Sequence, residues 1–197
     1  MLLTACSARK AEDITGIWAL EAQDTQVQAQ ALLLDVEAYT EELALADLDS
    51  LKYVKVAEFC EDGTYQFRID AQGTKACVRS FFDGYFQALY EGRATLNEAY
   101  NMTFDEMTRE EFLQFYADIY EKENYQVLLD DFAETAYDYE GLSVPTRGTY
   151  KVTGGLVRCT KDGAGEASTL KAERSGENGE YLILTYSDGE EIYTRVN

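Results

Sequence analysis

Residues 147–196 read RGTYKVTGGLVRCTKDGAGEASTLKAERSGENGEYLILTYSDGEEIYTRV, and this stretch decides the fold. Runs rich in Val, Thr, Tyr, Ile and Leu lie at Arg147–Thr153, Leu156–Thr160, Ser168–Arg174, Glu180–Tyr186 and Glu190–Val196. The separators are Gly154-Gly155, Lys161-Asp162-Gly163-Ala164-Gly165, Ser175-Gly176-Glu177-Asn178-Gly179 and Ser187-Asp188-Gly189. Glycine adopts the positive φ of tight turns without steric cost, and Asp or Asn tolerates it, so each separator reverses the chain. The stretch is therefore an antiparallel meander.

Towards the N-terminus, Lys52–Cys60 and Thr64–Asp70 flank Glu61-Asp62-Gly63, a further hairpin signal. In the second of these runs the period is two, with Tyr65, Phe67 and Ile69 on one face. Thr15–Ala22 completes a set of eight strands. Eight antiparallel strands in up-and-down order close into a barrel, which leaves no unpaired edge. A barrel of this size is filled by side chains or holds one small ligand. The expected inward set is Trp18, Leu20, Tyr65, Phe67, Ile69 and Ile183, all large residues that leave little cavity.

Helical texture fills two gaps. Thr25–Leu48 is rich in Ala, Leu, Gln and Glu, all good helix formers. The gap from Thr74 to Leu142 carries three apolar stripes: Val78, Phe81, Phe82, Tyr85 and Leu89; Phe112, Phe115, Tyr116, Ile119 and Tyr120; and Leu128, Phe132, Thr135, Ala136 and Tyr139. Thr108-Arg109-Glu110-Glu111 has the composition of a capping box ahead of the second stripe. Both gaps connect strands at the same end of an up-and-down barrel, so the helices are expected to cap that end. The expected class is α+β: an eight-stranded antiparallel barrel with a helical insertion over one mouth. Residues 1–12 are expected to be a residual signal and linker, and residues 13–197 one barrel domain with helical insertions at about 25–48 and 74–142.

Composition narrows the chemistry. The chain has 37 Asp and Glu against 17 Lys and Arg, a net charge of −20, and no histidine. That excludes Ser-His-Asp and Cys-His nucleophiles, His-ligated zinc and an imidazole pH switch. A sequence pI near 4.2 disfavours nucleic acid, whose phosphates need clustered Lys and Arg. Residues 78–141 hold 15 acidic and 4 basic residues, with 8 of the 15 tyrosines and 7 of the 9 phenylalanines. Most of these form core stripes and a solvated face. Tyr100, Tyr125 and Tyr137 fall off the stripes and are the candidate ligand surface, where rings could stack on sugar faces beside carboxylates. Adjacent acids such as Asp130-Asp131 and Glu110-Glu111 diverge by ~100° on a helix, so neither pair can flank one bond. No calcium loop, phosphate loop or zinc spacing occurs, and no catalytic, cofactor or metal residue is assigned. At least two of Cys60, Cys77 and Cys159 read as small buried apolar residues, with a Cys60–Cys77 bridge as an alternative.

Leu3-Thr4-Ala5-Cys6 resembles a bacterial lipobox, in which the cysteine is lipidated. This implies anchoring through Cys6 and an extracytoplasmic, membrane-attached location. Thr15-Gly16-Ile17-Trp18 resembles the lipocalin G-x-W signature on a first strand, and Arg195 lies where that family's tryptophan-packing arginine would fall. The resemblance implies a calycin-type barrel closed by Gly16, Trp18 and Arg195. The chain resembles more closely the lipocalin-like lipoproteins of anaerobic Gram-positive bacteria, a resemblance that implies no activity. The expected function is that of a monomeric, surface-anchored, non-enzymatic binding protein for a small amphipathic ligand, a glycan or a protein. A filled structural barrel and a carboxylate-dependent hydrolase are the alternatives.

Overall fold

The computed structural model describes residues 13–23, 47–165 and 167–196. Eight strands close into an antiparallel barrel in sequence order, with β1 meeting β8. They are β1 Gly16–Gln23, β2 Lys52–Phe59, β3 Thr64–Ile69, β4 Thr146–Thr153, β5 Leu156–Lys161, β6 Ala167–Ser175, β7 Tyr181–Thr185 and β8 Glu190–Arg195. Every boundary lies within one residue of the strands expected above. Gly154 and Gly155 have φ of +60° and +79°. Both central residues of a two-residue turn are thus left-handed, which only the type I′ hairpin requires and glycine allows.

Strand alternation sends one set of side chains inward. Trp18, Ala57, Phe59, Tyr65, Val157, Leu182, Leu184 and Tyr193 are buried and form one apolar cluster. Ile183 corrects the expected inward set. Leu182 and Leu184 are fully buried, whereas Ile183 pairs with Ile192 on the outer face, where Ile192 is 54% exposed. The run Leu182-Ile183-Leu184 is apolar at consecutive positions, so hydrophobicity alone does not set its phase.

The chain divides into two compact units, each with its own core. The barrel unit spans the described parts of Met1–Leu20, Lys55–Ile69 and Val144–Asn197; the helical unit spans those of Glu21–Val54 and Asp70–Ser143. The helical unit contains α1 Ala71–Glu91, α2 Asn97–Tyr100, α3 Arg109–Ile119, α4 Tyr125–Thr135 and α5 Tyr139–Leu142. The insertion expected over 25–48 lies outside the described residues except for its end, where Leu48–Ser50 forms a 3-10 turn. Cys6 also lies outside them.

α1 buries the whole expected stripe of Val78, Phe81, Phe82, Tyr85 and Leu89. It starts at Ala71, three residues before the expected Thr74, whose hydroxyl accepts from the Val54 N–H at 3.0 Å. α3 opens with the capping box: Thr108 Oγ1 accepts from the Glu111 N–H, and the Glu111 carboxylate accepts from the Thr108 N–H at 2.8 Å. The α3 stripe is rotated from the expected one. Phe112, Leu113, Tyr116 and Ala117 are buried, and Ile119 is 48% exposed. In the third stripe Thr135 is exposed, because Leu128, Leu129, Phe132 and Ala133 form the buried face of α4. Phe82 stacks on Phe132 with centroids 4.5 Å apart, which joins α1 to α4. None of the described helices is long and apolar enough to cross a membrane.

Candidate functional site

The barrel interior carries a charge pair. Lys55 shares the strand phase of Ala57 and Phe59, and Glu191 shares that of Tyr193; these three partners are buried in the barrel core. Lys55 and Glu191 therefore lie on the inner face. The Lys55 ammonium donates to Glu191 Oε1, and the Tyr193 hydroxyl donates to Glu191 Oε2 at 2.8 Å. Tyr186, in the inward phase of Leu182 and Leu184, also hydrogen-bonds this carboxylate. β1 lies between β2 and β8, so the ion pair bridges across the inner face of β1.

The electrostatics make the cluster a fixed hydrogen-bonding device. Burial alone would raise the Glu191 carboxyl, but hydrogen bonds from Lys55, Tyr193 and Tyr186, with the Lys55 charge, hold it below its ordinary value. Burial and the adjacent carboxylate push the Tyr186 phenol up; burial, Tyr186 and Glu191 push up that of Tyr193. At neutral pH the Glu191 carboxyl is ionised and both phenols are protonated. None of its titratable groups with a shifted pKa is moved towards neutrality, the range that general acid–base catalysis favours.

The interior changes character along its length. Trp18, Phe59, Val157 and Leu182 are buried to 1% exposure or less, and Tyr65 and Cys159 nearly so. At the end where β1 and β3 finish and β8 begins, inward side chains keep accessible surface. Leu20, Phe67, Ile69 and Tyr186 are only partly buried, and the Lys55 and Glu191 side chains are 30% and 24% exposed. One part of the interior is thus almost fully buried, and the other, the open half, keeps some accessible surface around the ion pair.

At the packed end, Trp18 and Arg195 are register partners, and the Trp18 indole N–H donates to the Ile14 carbonyl at 2.9 Å. Two guanidiniums approach the indole, Arg195 and Arg174, each 5.6 Å from the ring centroid. Arg174 also donates to the carbonyls of Gly179 and Asp13, at 3.0 and 3.1 Å. Gly16 sits at φ +142°, and a Cβ there would lie 3.6 Å from the Arg195 guanidinium. Gly16, Trp18 and Arg195 are therefore one contiguous group at the β1–β8 seam. Arg174 belongs to it and carried no sequence signal beyond its inward strand phase.

The three candidate tyrosines are placed differently. Tyr100 packs edge-on against Phe104 and Phe115, Tyr125 packs against Phe86 and donates to Asp83 at 2.8 Å, and Tyr137 packs against Tyr139. Each ring serves a separate part of the helical core's margin. The adjacent acids diverge as expected. Asp130 pairs with Arg79 at 2.7 Å, Asp131 with Lys122 at 2.8 Å, and Glu111 is held in its capping box. Cys60, Cys77 and Cys159 are free, so no bridge joins Cys60 to Cys77. Burial pushes the Cys159 thiol up to about 11, which keeps it protonated and unreactive.

Two surface clefts are open grooves rather than enclosed pockets. One of about 360 Å³ in the barrel unit is lined partly by Arg147 and Asp162. Another, of about 460 Å³ in the helical unit, is lined partly by Lys52, Glu21 and Cys77. No protein-family model, curated protein or solved structure matches the chain.

Proposed function

We propose that this chain is a lipocalin-like, non-enzymatic binding lipoprotein whose barrel takes a small amphipathic ligand. The observation that carries the reading is the Lys55–Glu191 pair, with Tyr193 and Tyr186, on the inner wall of a barrel whose core cluster is apolar. A buried ion pair adds little to stability compared with apolar residues of the same volume, because desolvation offsets the attraction. Its retention in the half-open interior fits recognition of a polar head beside apolar walls, the usual composition of a small-molecule site. In this reading Cys6 anchors the chain extracytoplasmically, and the helical insertions, both entering between strands at the same barrel end, cap the open half. The packed half, centred on Trp18 and Phe59, closes the bottom and limits the ligand to the open half.

Native mass spectrometry of protein purified without detergent from the cells that make it tests the reading. The expected result is one small-molecule adduct per chain, lost on unfolding and absent from Leu20→Trp, which fills the open half. A wild-type chain that carries no adduct and binds no added amphiphile would exclude a ligand-binding barrel and favour the filled one. The mass of Cys6 in the same sample reports lipidation directly.

A further inference from the structure

We propose that Asn178 is a site of spontaneous modification, converting through a succinimide to aspartate and isoaspartate, and that the conversion loosens the hold of Arg174 on Trp18. Asn178 is exposed in the loop between β6 and β7. It precedes Gly179, whereas Asn97, Asn101 and Asn124 precede Glu98, Met102 and Tyr125. Glycine leaves its own main-chain nitrogen unshielded by a Cβ and lets the backbone rotate into a ring. The Gly179 N–H makes a long bond, 3.3 Å to the Gly176 carbonyl, where an ordinary one spans about 2.7–3.2 Å. The Asn178 carboxamide has no hydrogen-bond partner among the described residues. That of Asn97, by contrast, donates to Asp105 at 2.6 Å and accepts from the Phe104 N–H at 2.7 Å. The Asn124 carboxamide accepts from the Val127 N–H at 3.1 Å.

In the first step the Gly179 nitrogen gives up its proton and attacks Cγ of Asn178. The N–Cγ bond forms, the Cγ–Nδ2 bond breaks, and ammonia leaves with that proton. Water then opens the ring at either carbonyl. Breaking N–Cγ gives aspartate, and breaking the bond to the main-chain carbonyl carbon gives isoaspartate, whose backbone runs through Cβ and Cγ. Water is the sole co-reactant. Both products place a new carboxylate beside that of Glu180, which accepts from the Asn178 N–H at 2.9 Å. Isoaspartate also adds a backbone atom directly before Gly179. The Gly179 carbonyl accepts from Arg174 Nη2 at 3.0 Å and Nε at 3.2 Å, and the Arg174 guanidinium lies 5.6 Å from the Trp18 ring centroid. Displacing that carbonyl withdraws an acceptor that positions the guanidinium at the indole.

Ageing the folded wild-type protein in warm neutral buffer, followed by peptide mapping in a mass spectrometer, tests the proposal. Asn178 should convert to the acid at least tenfold faster than Asn97, Asn101 or Asn124 of the same chain. The emission of Trp18, the only tryptophan, should shift to the red as conversion proceeds, and the urea midpoint should fall. Asn178→Gln, whose longer side chain closes the ring poorly, should age without either change. An Asn178 that stays an amide, or converts no faster than the other three, would overturn the modification site. Conversion with emission and midpoint unchanged would overturn the link to Arg174 while leaving the site in place. Equal losses in aged Asn178→Gln and aged wild type would overturn that link as well.

Discussion

Trp18 faces Arg195 across the seam between β1 and β8, and the guanidinium lies 5.6 Å from the indole centroid. The indole is fully buried and is the chain's only tryptophan. Trp18→Ala removes a large core side chain at the closing seam and should cost about 3–5 kcal/mol. Arg195→Met keeps much of the volume and loses the cation–π contact, for about 0.5–2 kcal/mol. Urea unfolding followed by circular dichroism measures both. Equal losses would mean that the seam is held by the arginine rather than by burial.

The interior pair has a pH signature. The folded Glu191 carboxyl is held below its ordinary value of 4.5, so its contribution is complete above that value. It is lost as pH falls through the lower folded value. Thermal unfolding between pH 3 and pH 7 should show Glu191→Gln less stable than wild type near neutrality, by about 1–3 kcal/mol for a half-buried pair. The gap should narrow steadily on acidification below about pH 4.5. A constant gap would show that the Gln substitution acts through packing and not through charge.

Two glycines should respond in opposite directions. At Gly148 a Cβ would lie 2.0 Å from the Thr160 carbonyl oxygen and 2.9 Å from the Tyr65 ring. Backbone cannot yield that distance, so Gly148→Ala should destabilise by at least ~1–3 kcal/mol, the range for overpacking. At Gly84, exposed in α1, a Cβ meets nothing within 4 Å. Gly84→Ala should therefore stabilise by about 0.5–1 kcal/mol through helix propensity. Denaturant midpoints of the two variants check both signs.

At the start of α3, Thr108→Ala removes the acceptor for the Glu111 N–H and should cost about 1 kcal/mol. Hydrogen exchange of the Glu111 amide should quicken, while amides of β5 and β6 stay protected. Slowed or unchanged exchange at Glu111 would show that the cap contributes nothing.

Much of this molecule can be read before folding, and the gaps have physical causes. Strand limits were legible because glycine and Asp-Gly turns mark them, as at Asp62-Gly63 and Gly154-Gly155. Phase was not legible in Leu182-Ile183-Leu184, where every residue is apolar. The α3 stripe turned because Leu113 and Phe115 compete for burial within one helical turn, and only packing chooses between them. Lys55 and Glu191 escaped notice because a charged residue in a strand reads as solvent-facing. Their parity with Phe59 and Tyr193 was nonetheless present in the sequence. Arg174 was hidden in the same way, two residues after the buried Ala172.

The β1–β8 seam also has a temporal meaning. β1 is made first and β8 last of the eight strands, yet they are neighbours in the closed sheet. Trp18 must wait for Arg195, so nearly the whole chain intervenes before the contact that shuts the cylinder can form. Contacts of such long sequence separation make folding slow. During synthesis the helical segment between β3 and β4 can collapse on its own aromatic core, while β1 remains an open edge. Closure is then a late event, and until β8 emerges β1 has no partner across the seam.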